Sequence, residues 1–223
     1  MTRAEAVQPG DTAAGFGALV AELHEQRDQV TALRPELSFE DVPAPRTLAP
    51  YATAVAATVL DGEDDIASGR LVLLYDPAGQ DGWGGPLRII VYIRADLDPE
   101  IAADPLIGQV GWDWLTEALD HRTAGYGQPS GTVTRVVTEG FGAKESEPAV
   151  TGFELRASWS PAGLDDPSDA DRPDEPAAIG GPGTLDGHLA AWCDALCSAA
   201  GLPPLAPGVT ALRKPASTTR RRR

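Results

Sequence analysis

The chain reads as an α+β domain: an antiparallel sheet of about four strands, built as two hairpins, with helices packed mainly on one face. Three observations lead there. Apolar residues recur at helical spacing in several stretches, among them 16–33, 107–121 and 184–200. Others alternate with polar residues, as in Phe153, Leu155, Ala157 and Trp159 against Glu154, Arg156 and Ser158. Short, turn-rich connections join the strands of each pair, which favours hairpins over parallel crossovers.

Met1 to Ala14 reads as a flexible leader. From Phe16, the residues Phe16, Leu19, Val20, Leu23 and Val30 share one stripe, with Arg27 among them in need of a carboxylate or a route to solvent. Arg34-Pro35 ends this helix, since the residue before proline avoids helical geometry. Leu37 and Phe39 alternate in a short edge strand. Pro43-Ala44-Pro45 then leads into a second expected helix, with Leu48, Tyr51, Val55 and Val59 on one face.

Two strands follow, one carrying Leu71, Leu73 and Tyr75, the other Leu87, Ile89, Val91 and Ile93. The loop between them, Asp76 to Pro86, is rich in glycine. Asp98-Pro99 and Asp104-Pro105 signal the start of a third helix reaching about His121. Its two apolar sides, one with Trp114 and one with Trp112, predict two neighbours, a sheet and a helix. Residues 132–141 and 153–159 form the second strand pair. Pro161 to Gly183, with six acidic residues, five prolines and four glycines, reads as a disordered acidic insert. A last helix, Thr184 to Ala200, turns Leu185, Leu189, Trp192 and Leu196 inward and stops at Gly201. The expected organisation is one domain over 15–212, followed by a basic disordered tail, 213–223.

Hydrophobic residues make up 42% of the 223, enough to fill a core. No apolar run approaches the roughly 20 residues of a membrane span, and the first residues carry no apolar signal region. A cytoplasmic protein that does not engage membranes is the expectation. The formal net charge is -15. Six basic residues lie after Leu212, so the body carries twelve basic against 33 acidic residues. Such a body repels phosphate backbones, which leaves the Arg220 to Arg223 run as the one expected route to nucleic acid.

Several ordered blocks carry a resemblance: PAPRTLAPYA from Pro43, GRLVLLYDPAGQDGWGG from Gly69, YIRADLDPE from Tyr92, GQVGWDWLTEAL from Gly108, ELRASWSP from Glu154 and AWCDALCSAAGLPP from Ala191. Over roughly residues 34–212 the chain resembles the actinobacterial domain of unknown function 3000 family. The resemblance implies a cytosolic actinobacterial protein and transfers no catalytic residue.

Chemistry-bearing signals are sparse. His24, His121 and His188 fall on three separate helices and read as surface or flank histidines, not metal ligands. Cys193 and Cys197, four apart on the last helix, read as small core hydrophobes. Ser130 sits in a turn with no nucleophile elbow, Gly125-Tyr126-Gly127 precedes a strand where phosphate loops precede a helix, and paired carboxylates such as Asp64-Asp65 lie in loops. No catalytic residue, metal site or cofactor is implied.

The strand arginines stand apart: Arg70, Arg88, Arg94, Arg135 and Arg156 make up five of the body's twelve basic residues. Arg88, Tyr92 and Arg94 alternate with the core positions of their strand, and Arg156 with those of its own. The expected ligand-binding site is therefore the open sheet face bearing Arg88, Tyr92, Arg94 and Arg156, with Trp83 of the glycine-rich loop as a movable aromatic contact. A planar guanidinium suits carboxylate or phosphate. The competing reading pairs these arginines across strands with Glu154 and Glu139. The expected function is a non-enzymatic binding or adaptor protein for an anionic small molecule or an acidic protein segment. Second comes a small-molecule enzyme with an unrecognised site, and third a nucleic-acid accessory protein acting through the tail.

Overall fold

In the computed structural model, residues 9–97, 99–102, 104–123, 125–146, 150–161, 185–202 and 204–205 are described. Helix α1 spans Pro9–Leu33, and strands β1 (Leu37–Asp41), β2 (Tyr51–Asp61), β3 (Asp64–Tyr75) and β4 (Leu87–Leu97) follow. A single turn, α2 (Pro99–Ala102), precedes α3 (Ile107–Arg122), β5 (Tyr126–Thr138), β6 (Val150–Pro161) and α4 (His188–Ala199). The architecture is α+β with a fully antiparallel sheet, as the alternation requires. The sheet has six strands, however, in the order β1-β2-β3-β4-β6-β5.

Of the two extra strands, β1 is the short edge strand read from Leu37 and Phe39, and β2 arises where a helix was expected. Tyr51, Val55 and Val59 lie four residues apart, a spacing that satisfies a helical stripe and, being even, one face of a strand equally well. In β2 the set Tyr51, Val55, Ala57 and Val59 packs into the main core while Ala52 and Ala54 face the other way. The β-branched Thr53, Val55, Thr58 and Val59 favour the strand. Asp61-Gly62, with Gly62 at φ 71°, turns the chain into β3. Leu48, expected on the helix face, lies in the preceding loop and is 46% exposed.

Other elements begin earlier than their sequence signals. Helix α1 starts at Pro9, inside the stretch read as a leader. Strand β5 starts at Tyr126, so Gln128, Pro129 and Ser130 lie within the strand, at a register shift between Gly127 and Ser130. The acidic insert beyond Pro161 and the basic tail lie outside the described residues.

All three long helices lie against one sheet face. From β4 that face receives Leu87, Ile89, Val91 and Ile93, and from β6 Phe153, Leu155, Ala157 and Trp159, all buried in one cluster with Leu19, Leu115, Leu189, Trp192 and Leu196 of the helices. Helix α4 contacts β3 and β4, with α1 and α3 on its two sides. Its Trp192 packs closely on β3 because position 69 is glycine: a Cβ there would stand 2.9 Å from the indole. Helix α3 meets both expected neighbours, α4 and the β5–β6 hairpin, with Trp114 edge-on to Phe153 at 5.7 Å. Arg27 finds its carboxylate in Asp41, at 3.1 Å.

The opposite face is covered only in part. Val42, Ala44 and Ala49 from the loop after β1, and Trp83 from the loop after β3, close a small second cluster over Ala54, Val72 and Leu74. Beyond it no described element covers the face of β4, β6 and β5.

Close contact between α3 and the sheet depends on Gly111, where a Cβ would lie 2.4 Å from the fully buried Phe153 ring. Gly111→Ala is expected to cost about 1–3 kcal/mol by overpacking. Gly108→Ala, with nothing within 4 Å, is expected to gain up to about 1 kcal/mol from helix propensity. Chemical denaturation of both variants measures the contrast, and equal stabilities would remove the close-packing account.

Candidate functional site

Strand register places the expected site residues on one surface. Arg70 of β3, Tyr92 of β4, Arg156 of β6 and Thr132 of β5 are successive cross-strand partners and form one row. The next row reads Ser68, Arg94, Glu154, Thr134. On the other side lies the row Val72, Ile90, Ser158, Ser130. Arg88 follows, opposite Leu74 and beside the small apolar cluster. Arg135 lies on the helix side, where its guanidinium donates to the Ala102 carbonyl at 2.8 Å and closes the end of α2.

The arginines on the open face differ in what they touch. Arg156 donates to Glu154 at 2.9 Å and stands 5.4 Å from the centre of the Tyr92 ring, a cation–π contact. This pair runs along β6, two residues apart, and not across strands as the competing reading has it. Arg70 donates to the Pro43 carbonyl and fastens the loop after β1 to the sheet. Arg94 is exposed and forms no ion pair among the described residues. Burial, with the Glu154 carboxylate beside it, holds the Tyr92 phenol above its ordinary pKa.

Arg88 is 8% exposed, and among the described residues its hydrogen-bond partners are all uncharged oxygens. Its Nη2 donates to Ser158 Oγ at 2.7 Å, to Ser130 Oγ at 3.3 Å and to the Ser158 carbonyl at 3.3 Å, and Nη1 reaches Ser160 Oγ at 3.4 Å. Desolvation lowers its pKa. Among the described residues it has no carboxylate partner, although a buried cation is normally paired.

The Trp83 loop is tied to this group, because Ser160 donates from Oγ to the Trp83 carbonyl at 2.6 Å. The Trp83 side chain is half-buried and packs on the second cluster, beside the arginine rows and not over them. Sequence reasoning missed all three serine contacts. Ser158 and Ser160 occupy the polar positions of an alternating strand, but nothing in one sequence says that β5 and β6 bring Ser130 beside them.

The remaining candidates are structural. Cys193 and Cys197 are free and fully buried, and desolvation pushes the Cys197 thiol up to about 12. His188, expected at a surface or flank, is 3% exposed and accepts a hydrogen bond from the Trp159 indole at 3.1 Å. His24 lies 3.6 Å from Asp41, and His121 is exposed. No group of metal-ligating side chains occurs among the described residues.

On the helix side, a groove of about 750 Å³ runs between α1, α3 and α4. At its wall Asp194 receives Arg122 at 2.7 Å and Arg34 at 3.8 Å, and Arg34 also meets Glu36 at 3.0 Å. No described helix is long and apolar enough to cross a membrane.

Residues 12–210 match the family described as a protein of unknown function, DUF3000, and the chain belongs to that family. The match begins earlier than the resemblance read from the sequence blocks. No curated protein and no solved structure matches the chain.

His188 supplies a pH test of the core. Burial lowers its pKa to about 4 from the ordinary 6.5, so the folded state favours the neutral ring. The associated stability is complete above pH 6.5 and is lost as pH falls from there toward 4. The loss amounts to about 3 kcal/mol by linkage. The stability difference between the wild type and His188→Gln, measured by urea unfolding at several pH values, should shrink by that order across the window. A difference independent of pH would contradict a buried neutral histidine.

Proposed function

We propose that the chain is a non-enzymatic binding or adaptor protein whose open sheet face recognises an acidic protein segment. The carrying observation is that Arg70, Arg88 and Arg94 make no ion pair among the described residues, in a chain with 33 acidic residues. Carboxylates are abundant, yet among the described residues this face draws on one, Glu154. Charge left without a partner on a sheet face is available to a ligand, and a guanidinium offers paired, directional donors to a carboxylate.

The shape of the region supports a macromolecular ligand over a small one. Arg94, Tyr92 and Arg156 lie side by side on adjacent strands, forming a shallow surface, while the large groove lies on the far side of the sheet among the helices. Tyr92 with Arg156 above its ring gives an aromatic and cationic centre, a combination frequent in the energetic core of interfaces. A soluble cytoplasmic setting in an actinobacterial cell is part of this reading.

A fluorescent peptide of alternating aspartate and glutamate tests it by polarisation. Binding is expected to weaken with added salt, because exposed pairs are screened. The pair of changes Arg94→Glu and Arg156→Glu should reduce affinity about tenfold or more, since each replaces attraction with repulsion. Affinity unchanged in that variant would exclude this face as the binding surface.

A further inference from the structure

We infer that Ser130 and Ser158, backed by the buried Arg88, form an oxyanion site for a phosphate-type group at the rim of the open face. It lies on the face assigned above to acidic segments and shares with that reading the unpaired Arg88, but it adds the serine cluster around that guanidinium.

Three donors converge there. Arg88 Nη2, Ser158 Oγ and Ser130 Oγ form a triangle with sides of 2.7, 3.3 and 3.3 Å. In the resting state both hydroxyl oxygens accept from the guanidinium. One hydroxyl proton can bridge the two serines, and at least one remains to be donated elsewhere. A hydroxyl that accepts from a cation becomes a stronger donor, because polarisation passes along the chain of hydrogen bonds. The charge of a buried arginine is in this way relayed to two hydroxyls at the surface: Ser130 is exposed and Ser158 half-buried.

The surroundings fit the same ligand. Gln128 and Pro129 bulge out of β5 immediately before Ser130, and Gln128 adopts φ 52°, so the strand edge is opened beside the serines. In the neighbouring row on the same face stand the Thr132 hydroxyl and Arg156. The Ser130, Ser158 and Thr132 hydroxyls stand on two adjacent strands, and three such donors suit a tetrahedral group with three terminal oxygens better than a planar carboxylate with two.

A structural role alone accounts poorly for this arrangement. Arg34, equally buried, sits against Glu36 and Asp194. Among the described residues Arg88 meets only neutral oxygens, and a buried cation held this way is costly unless an anion completes it.

The test uses the full chain and inorganic phosphate, followed by amide NMR. The Ser130, Ser158 and Thr132 amides are expected to shift saturably with phosphate, and acetate at matched ionic strength should bind about tenfold more weakly or less. Ser130→Ala combined with Ser158→Ala should weaken phosphate about tenfold or more. Arg88→Met, which keeps both hydroxyls and removes the charge, should do the same; if it does not fold, the serine variant decides. Non-saturable shifts, equal response to acetate, or a serine variant that binds like the wild type would each overturn the site. Phosphate binding that persists while the acidic peptide fails to bind would sink the acidic-segment reading and leave this one standing.

Discussion

The seating of α4 on the middle of the sheet is the contact on which the rest of the structure depends. Trp192 and Leu196 are fully buried there, and the glycine at position 69 admits the indole against β3. The helix is otherwise built from small residues, with Ala191, Cys193, Ala195, Cys197 and Ala199 all buried. Small side chains let α1 and α3 approach on either side. Six strands at about 4.8 Å spacing span roughly 24 Å, which three helices about 10 Å wide can cover. One face is therefore sealed by helices, and no further long helix is described to seal the other.

That asymmetry explains the two kinds of buried arginine. Arg34 lies where α1 ends, beside β1 and α4, and carboxylates from both directions meet it. Asp194 also takes Arg122, so one acid links α1, α3 and α4. Arg88 lies on the incompletely covered face, near enough to solvent for hydroxyls to relay its charge outward. A carboxylate in place of Ser130 or Ser158 would neutralise it and leave the surface without a donor. The same logic distinguishes Arg156, whose contact with Glu154 is exposed and contributes little to stability, from Arg94, which is exposed without an ion partner among the described residues.

Much of the fold was legible from pattern. Strand β4 alternates so strictly that both faces, Leu87 to Ile93 and Arg88 to Arg94, follow from spacing alone. Strand β6 is equally plain, and α3 declares two buried sides through its two tryptophans. The failure at β2 has a simple cause. Alanine favours the helix, and Tyr51, Val55 and Val59 repeat at an interval shared by both periodicities. Only pairing with β1 and β3 decided it, in registers such as Val59 opposite Leu37 and Val55 opposite Leu71. His188 was misjudged for a related reason: its ring is buried by Trp159, a residue 29 positions away on another element.

By itself the sequence determined the acidic balance, the α+β class, the two hairpins and the face on which Arg88, Tyr92, Arg94 and Arg156 lie, because side-chain direction along a strand is set locally by period two. It could not determine how the hairpins join, through β4 and β6, or in what register, since pairing between distant segments is a contest decided by burial. Tertiary structure alone therefore aligned Arg70, Tyr92 and Arg156 in a row, packed Trp83 onto an apolar patch, and brought three serines from two strands around one guanidinium.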